Sequence, residues 1–407
     1  MLPERIARLR VSSANTPVGE LIKHSVYSFR YAEGVPARQA VSLFMPPEAI
    51  EFSDGELFPA MDMNLPEGYL FQRIHERFRK SGITKMHLLA LMGDNGIGRV
   101  GYALDDRPAR ATAAVDRQQL LRSSAGAVFE DLVDAYLGSS IGVAGVQPKL
   151  MLPSRTSVPI PDLIVKAEGA DYPRLAANEF LCLSAAAAAG IAVPRFELND
   201  DASLLLIDRF DLGGDGPVHR LGFEDIAALM GLRVHDRLSN RKYHGSYEAV
   251  AEAIRLTGGD RVIQNLQRLF EQVALSIMVR NGDAHLKNFG LLYDDPAHPW
   301  LSPLFDVVTT AIYRYERPGG FLAEDRTLAL RLRRGDRSRA YPDTEALLGF
   351  GRAVCQVAHP QQVIERIADA MSATLHAARG DARVAAGLVD DLRAQWDIGL
   401  AYARHGA

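Results

Sequence analysis

The chain has 407 residues, 47% of them hydrophobic and 24% charged, with a formal net charge of −4. These values describe a soluble globular protein long enough for two or three domains, without the basic excess that a DNA-tracking surface needs. Two distant cysteines, Cys182 and Cys355, exclude a zinc or disulfide framework, and the lack of a long apolar run or an apolar signal core leads us to expect a cytoplasmic protein.

Only seven of the 46 basic residues are lysine, so a lysine kept in this arginine-rich chain invites a lysine-specific task. Residues 1–105 mix short hydrophobic runs with turns. Residues 41–45 read as a strand broken by Pro46 and Pro47, and Phe71, Ile74 and Phe78 recur at helical spacing behind LFPAMDMNLPEGYL. Glycines crowd MGDNGIGRV at 92–100, but no lysine or Ser/Thr follows where a phosphate loop requires one, so turns into a strand at 99–103 are expected. Asp, Arg, Pro and Ala at 104–114 mark a surface connection, and a helix is expected at 126–137.

The run LGSSIGVAGVQPKLML at 137–152 holds small residues that let backbone amides approach an anion, and it leaves as a strand at 149–152. It matches neither the Walker pattern nor the kinase G-x-G-x-x-G, so a phosphate loop and an ordinary hairpin turn both stand. DLIVKA at 162–167 is an apolar strand ending on Lys166, a charge tolerated there only if its head reaches water or a partner. A helix at 175–189 carries Asn178 and Glu179 one turn in. Either Glu179 bonds Lys166, as kinases do to set the α- and β-phosphates, or it is a solvated surface residue. Strands at 193–198 and 203–208, joined by Asn199-Asp200-Asp201, complete four strand-like runs with one helix after the second. From residue 222 the apolar spacing is helical, at 223–232, 247–256, 262–279, 343–357, 360–378 and 382–402.

Within that part, VRNGDAHLKNF at 279–289 packs Asp283, His285, Lys287 and Asn288 into six residues, and LFDVVTT places Asp306 18 residues after Asn288. Phosphoryl transfer needs a carboxylate to orient the attacking hydroxyl and take its proton, plus an amide and a second carboxylate to hold magnesium on the phosphates. Protein kinases set the first two as Asp-x-x-x-x-Asn on one loop and the third at the head of a later loop. Order and first spacing are both met here. Asn-Gly-Asp is also plain turn vocabulary, but a helix leads in and a strand at 289–293 leads out, which fixes the polar residues at the ends of rigid elements.

AGVQPK at 144–149, the IVK strand, Asn178-Glu179, Asp208-Arg209-Phe210-Asp211, NGDAHLKNF and LFDVVTT follow one another in this order. With them the chain resembles the HipA-type serine/threonine kinases, toxins of bacterial toxin–antitoxin modules, over about residues 40–405. The resemblance implies a two-lobed, protein-kinase-like α+β fold. An extra N-terminal subdomain of the small lobe would occupy 1–105, the β-rich N-lobe 106–212 and the helical C-lobe 213–407.

It also implies ATP and Mg2+, with Asp283 as the catalytic aspartate and Asn288 and Asp306 as magnesium ligands. Lys166, set by Glu179, would contact the α- and β-phosphates, and Ala144, Gly145, Val146, Gln147 and Lys149 would form the phosphate loop. Asp208, Arg209 and Phe210 would be the hinge that receives adenine, with Asp211 near the ribose. Lys287 would neutralise charge on the transferred phosphoryl group, while His285 suits a nucleotide contact or a structural hydrogen bond. The implied substrate is a protein, such as an aminoacyl-tRNA synthetase or another translation factor, with growth arrest as the outcome. The implied partner is a small helix-turn-helix antitoxin, with DNA met only through it and no membrane involved. Two departures stand out: Asp208 where glutamate is common, and Gly142 where the family carries an autophosphorylated serine, which turns attention to Ser139 and Ser140. Two rivals use the same residues, a small-molecule kinase and a non-catalytic nucleotide-binding regulator. The second has no need of all four of Lys166, Asp283, Asn288 and Asp306.

Overall fold

The computed structural model describes residues 3–77, 82–104, 115–126, 149–152, 162–169, 172–213, 219–317, 321–324 and 326–404. Strands β1 (Arg8–Ser13), β2 (Thr16–Lys23), β3 (Tyr27–Tyr31), β4 (Glu51–Asp54) and β5 (Val100–Ala103) form an antiparallel sheet in the order β4-β3-β2-β1-β5. The β1–β2 hairpin turns on Ala14 and Asn15 at φ +48° and +67°, the left-handed pair that a two-residue hairpin loop demands. Alternate residues Leu9, Val11, Leu21, Phe29 and Tyr31 face the core.

The strand expected at 41–45 is not formed. That run closes a single bridge between Ser42 and Met45, and its polar groups go elsewhere: Leu43 N and Ser42 Oγ donate to Glu224 at 2.6 and 2.8 Å, and Val41 N donates to Tyr31 Oη at 2.8 Å. A distant carboxylate has replaced the neighbouring strand.

The second sheet runs β6 (Lys149–Leu152), β7 (Leu163–Ala167), β9 (Leu204–Asp208), β8 (Phe196–Leu198), all antiparallel. Every residue of β7 is buried, with Lys166 opposite Lys149 and Leu205 in the register. The helix Leu175–Ala188 follows β7 and packs on the sheet, with Phe180 edge-on to Phe196 of β8. The helix expected at 126–137 and the small-residue run up to Pro148 lie outside the described residues beyond Gly126.

The helix expected at 223–232 is corrected. Residues Gly222–Asp225 form β12, paired antiparallel with β13 (Gly290–Tyr293), which in turn pairs with β14 (Trp300–Leu301). Only Ile226–Leu229 is helical, and the Asp225 carboxylate caps it by accepting from Ala228 N at 2.7 Å. Two short hairpins flank this unit, β10 (Leu212–Gly213) with β11 (His219–Arg220) and β15 (Arg314–Arg317) with β16 (Phe321–Glu324).

Helices then dominate: Tyr247–Thr257, Val262–Met278, Thr344–Ala353, Pro360–Ala378 and Ala386–Arg404. Val262–Met278 is the centre of this part, buried from Leu269 to Phe270 and from Gln272 to its end, and it delivers the polar loop that follows. The last helix presses on it at Gly399, where a Cβ would stand 1.8 Å from Met278 O, so only glycine permits that approach. Among the described residues no helix is long and apolar enough to cross a membrane.

The glycine-rich loop at 93–99 joins the first sheet to the rest, and its carbonyls meet cations. Arg209 and Arg220, both buried, each donate to Gly96 O at 2.8 Å, and Arg220 also reaches Asp94 O and Gly98 O. Gly98, at φ +89°, donates its N–H to Asp211 at 2.6 Å. The loop is a docking tie rather than a cradle for phosphate.

Candidate functional site

Three elements converge on Lys166. Its strand β7 is wholly apolar otherwise, so the ammonium must be met by protein, and Nζ donates to both Glu179 of the following helix and Asp306 of the LFDVVTT loop. Lys166 is 2% exposed and Glu179 0%, while the Asp306 side chain keeps 28%. Burial pulls the Lys166 pKa down, but the two carboxylates outweigh it and hold it above its ordinary value. The solvated-surface reading of Glu179 is thereby excluded.

Asp306 sits at φ +54°, a costly conformation for a non-glycine residue that persists only where its surroundings fix it. The fixing is visible three and four residues on. Thr309 N donates to Asn178 Oδ1 at 2.9 Å, Asn178 Nδ2 returns a bond to Thr309 O at 3.1 Å, and Trp396 Nε1 donates to Thr309 Oγ1 at 2.8 Å. Thr310 Oγ1 accepts from Gly282 N at 2.7 Å and so ties this loop to the one carrying Asp283.

That second loop is held from within. Asp283 N donates to Asn281 Oδ1 at 2.9 Å, His285 N to Asn288 Oδ1 at 2.9 Å, and Asn288 N to His285 O at 3.0 Å. Asp283 itself is exposed. One of its oxygens, Oδ1, accepts from the Tyr243 hydroxyl at 2.7 Å. Burial, reinforced by Lys242 and Lys287, pushes the His285 imidazole well below its ordinary pKa, so it is neutral at pH 7.

The remaining expected residues fall into three groups. Lys287 turns its head to the N-terminal region, bonding Glu67 and, at 3.1 Å, Met63 O. At the expected hinge, Arg209 and Asp211 form a fully buried bidentate pair at 2.9 and 2.5 Å, Asp208 pairs with Arg117, and the amides of Asp208 and Arg209 donate to Arg195 O and Asp162 O. Phe210 stacks on Phe305 with centroids 5.0 Å apart, linking this segment to the residue before Asp306. Ala144, Gly145, Val146, Gln147, Ser139, Ser140 and Gly142 lie outside the described residues, and Lys149 is described in its backbone alone, next to Lys166 in the sheet.

Chemically, the site offers a buried ammonium paired with a carboxylate, and a neighbouring loop, tied to it through Thr310, that carries an exposed carboxylate and an amide. Asp306 and Asn288 are hard oxygen donors of the kind that Mg2+ takes. Sequence reasoning missed Glu67, Tyr243 and Thr309. Asn178 stood beside Glu179 in plain view without a role.

A family model described as HipA-like C-terminal domain matches residues 141–378, and one described as HipA N-terminal domain matches residues 9–103. Two proteins of Sinorhizobium fredii (strain NBRC 101917 / NGR234), each named "Putative kinase" and distinguished as Y4mE and Y4dM, are similar in sequence. Y4mE is 25% identical over 313 residues, 72% of this chain and 74% of that protein. Y4dM is 31% identical over 165 residues, 37% of this chain and 38% of that protein. Among solved structures, HipA of Shewanella oneidensis MR-1, from a toxin–antitoxin complex with HipB and operator DNA, aligns with a TM-score of 0.68 at 17% identity, over 98% of this chain and 97% of that one. At that identity the likeness concerns the fold.

Proposed function

The chain belongs to the HipA family, and on that premise we propose that it is an ATP-dependent serine/threonine protein kinase with a β-rich and a helical lobe. The observation that carries the reading is the buried junction of Lys166 with Glu179 and Asp306, three residues from a strand, a helix and a loop. A protein that needed only stability would gain as much from apolar packing there.

Lys166 holds the α- and β-phosphates, and Glu179 keeps its ammonium aimed. Asp283 hydrogen-bonds the acceptor hydroxyl and takes its proton as that oxygen attacks the γ-phosphorus and the bond to the ADP oxygen breaks. Since the Tyr243 hydroxyl already lies on one oxygen of Asp283, the acceptor either uses the other or displaces it. Asp306 and Asn288 would hold magnesium, which when bound supplies positive charge against the β- and γ-phosphates. The ammonium of Lys287, engaged by Glu67 and Met63 O, holds this loop in place. By analogy with the complex of the Shewanella protein, the partner is a small DNA-binding antitoxin, and the substrate is a protein of the translation apparatus.

The test is transfer of radiolabelled phosphate from ATP to lysate proteins and, separately, to metabolites. Asp283→Asn and Asp306→Asn should each abolish transfer in a folded protein, a loss of about 3 kcal/mol or more of transition-state stabilisation. Nucleotide binding should survive better in the first variant. Wild-type transfer by Asp283→Asn refutes the reading, and labelled metabolites without labelled proteins would move it to a small-molecule kinase.

A further inference from the structure

The N-terminal domain reaches the loop of Asp283 through the buried carboxylate of Glu67. Glu67 stands between the short helix Pro59–Asp62 and the helix Gly68–Arg77 and is 7% exposed. One of its oxygens bonds Lys287, and the other lies 3.7 Å from Lys242 Nζ. Met63 O adds a second acceptor for Lys287 at 3.1 Å. Lys242 precedes Tyr243, whose ring packs edge-on against His285 at 5.2 Å and whose hydroxyl rests on Asp283. The Tyr243 hydroxyl on Asp283 and Lys287 at the far end of the same loop therefore both trace back to one side chain of the N-terminal region.

Two ammonium groups sharing a carboxylate out of water is a poor way to gain stability, because desolvation consumes most of the attraction. What such a cluster does supply is geometry. Each cation has one position in which it is satisfied, and the backbone that carries it is fixed accordingly. Next to Lys287 lies Asn288, whose side chain closes the turn on His285 N. A shift of Lys287 is thus a shift of the whole segment from Asp283 to Asn288.

We propose that Glu67 is a positioning residue for phosphoryl transfer, acting from the N-terminal domain through Lys287 and Lys242 on the loop that bears Asp283. The proposal rests on the kinase reading above for its rates, but its structural half stands independently. The bonds of Glu67 described above run to Lys287 and Lys242 rather than to the Lys166 junction, so nucleotide grip and turnover should separate.

The experiment compares the full-length wild type with Glu67→Gln and Glu67→Asp, with Asp283→Asn as the inactive control. Three readings are taken: initial rates of phosphate transfer from radiolabelled ATP to lysate proteins, the Kd for a fluorescent ATP analogue, and hydrogen exchange of backbone amides. Glu67→Gln should lower the rate tenfold or more and leave the nucleotide Kd within twofold. Amides of residues 284–289 should exchange at least tenfold faster, with those of β7 unchanged. Glu67→Asp, which keeps the charge, should recover part of the rate. Wild-type rate and wild-type exchange at 284–289 in a folded Glu67→Gln protein overturn the proposal. So does a loss of rate matched by equal losses in nucleotide binding and by faster exchange throughout, which would make Glu67 a general structural residue. If the wild type transfers no more phosphate than Asp283→Asn, the kinase reading fails, while the exchange data still decide whether Glu67 sets the loop.

Discussion

Glu179→Gln removes one of the two charges that make the burial of Lys166 tolerable while keeping its shape and an acceptor oxygen. Lys166 is left with Asp306 as its one carboxylate among the contacts described above, and that carboxylate is partly open to solvent. A hydrogen bond to a charged group contributes ~1.5–3 kcal/mol net. Outright loss of a buried pair costs ~3–5 kcal/mol, and the glutamine oxygen keeps the change at the lower figure. Since each 1.4 kcal/mol is a factor of ten, ATP should bind roughly 10- to 150-fold more weakly where the loss falls on the posture of Lys166.

The pH dependence has a definite sign. The Lys166 pKa is raised in the folded protein, against burial, by Asp306 and Glu179, so its contribution is complete below the unfolded value and fades as pH rises through the folded one. Removing Glu179 lowers the folded pKa, and the alkaline limb of ATP binding should move to lower pH. Fluorescent-nucleotide titrations between pH 8 and pH 12, with thermal unfolding at each pH, measure both effects. An unchanged Kd, Tm and alkaline limb would show that Glu179 does not set Lys166.

Burial pushes the Asp225 carboxyl up to about 6, so folding favours its protonated form and this group costs stability as pH rises from about 4 to above 6. Asp225→Asn keeps the helix cap, and its stability relative to wild type should improve by up to ~3 kcal/mol over that window in urea titrations; a parallel pair of curves would reject the assignment. Gly399→Ala places a methyl against Met278 O and should lower stability by ~1–3 kcal/mol, read as a drop in Tm; an unchanged Tm would mean that the two helices separate freely. Since Gly142 cannot be phosphorylated, incubation with ATP and magnesium should place phosphate on Ser140 or Ser139 in the wild type and not in Asp283→Asn, with falling activity as the loop fills with charge; an active protein left unmodified there ends that idea.

Residues whose meaning lies in their own neighbourhood were legible in the sequence. A lysine closing an apolar strand had to have a partner, and the four strands with one helix after the second were read from apolar runs of four to six residues. Contacts made across the chain were not legible. Leu43 and Glu224 are 181 positions apart, and Lys287 and Glu67 are 220 apart, so no spacing announces either. The segment at 223–232 misled for a different reason. Phe223, Ile226 and Leu229 are spaced as on a helix, yet the first belongs to a strand whose partner, β13, comes some 65 residues later. Tyr243 lies in a polar 3-10 turn, Asp236–Tyr243, with no apolar period to place it.

The bond from Trp396 to Thr309 orders events in time. A ribosome makes Asp283, Asn288 and Asp306 well before it makes Trp396, and the helix that carries Trp396 is also the one seated on Met278 through Gly399. Until that helix emerges, the loop of Asp306 lacks one of the side chains that grip Thr309, and its left-handed aspartate has less to hold it. A growing chain therefore passes through an interval in which every residue of the site exists and one bond that fixes its Asp306 loop does not. For a protein whose proposed target serves translation, competence would wait on the synthesis of Trp396.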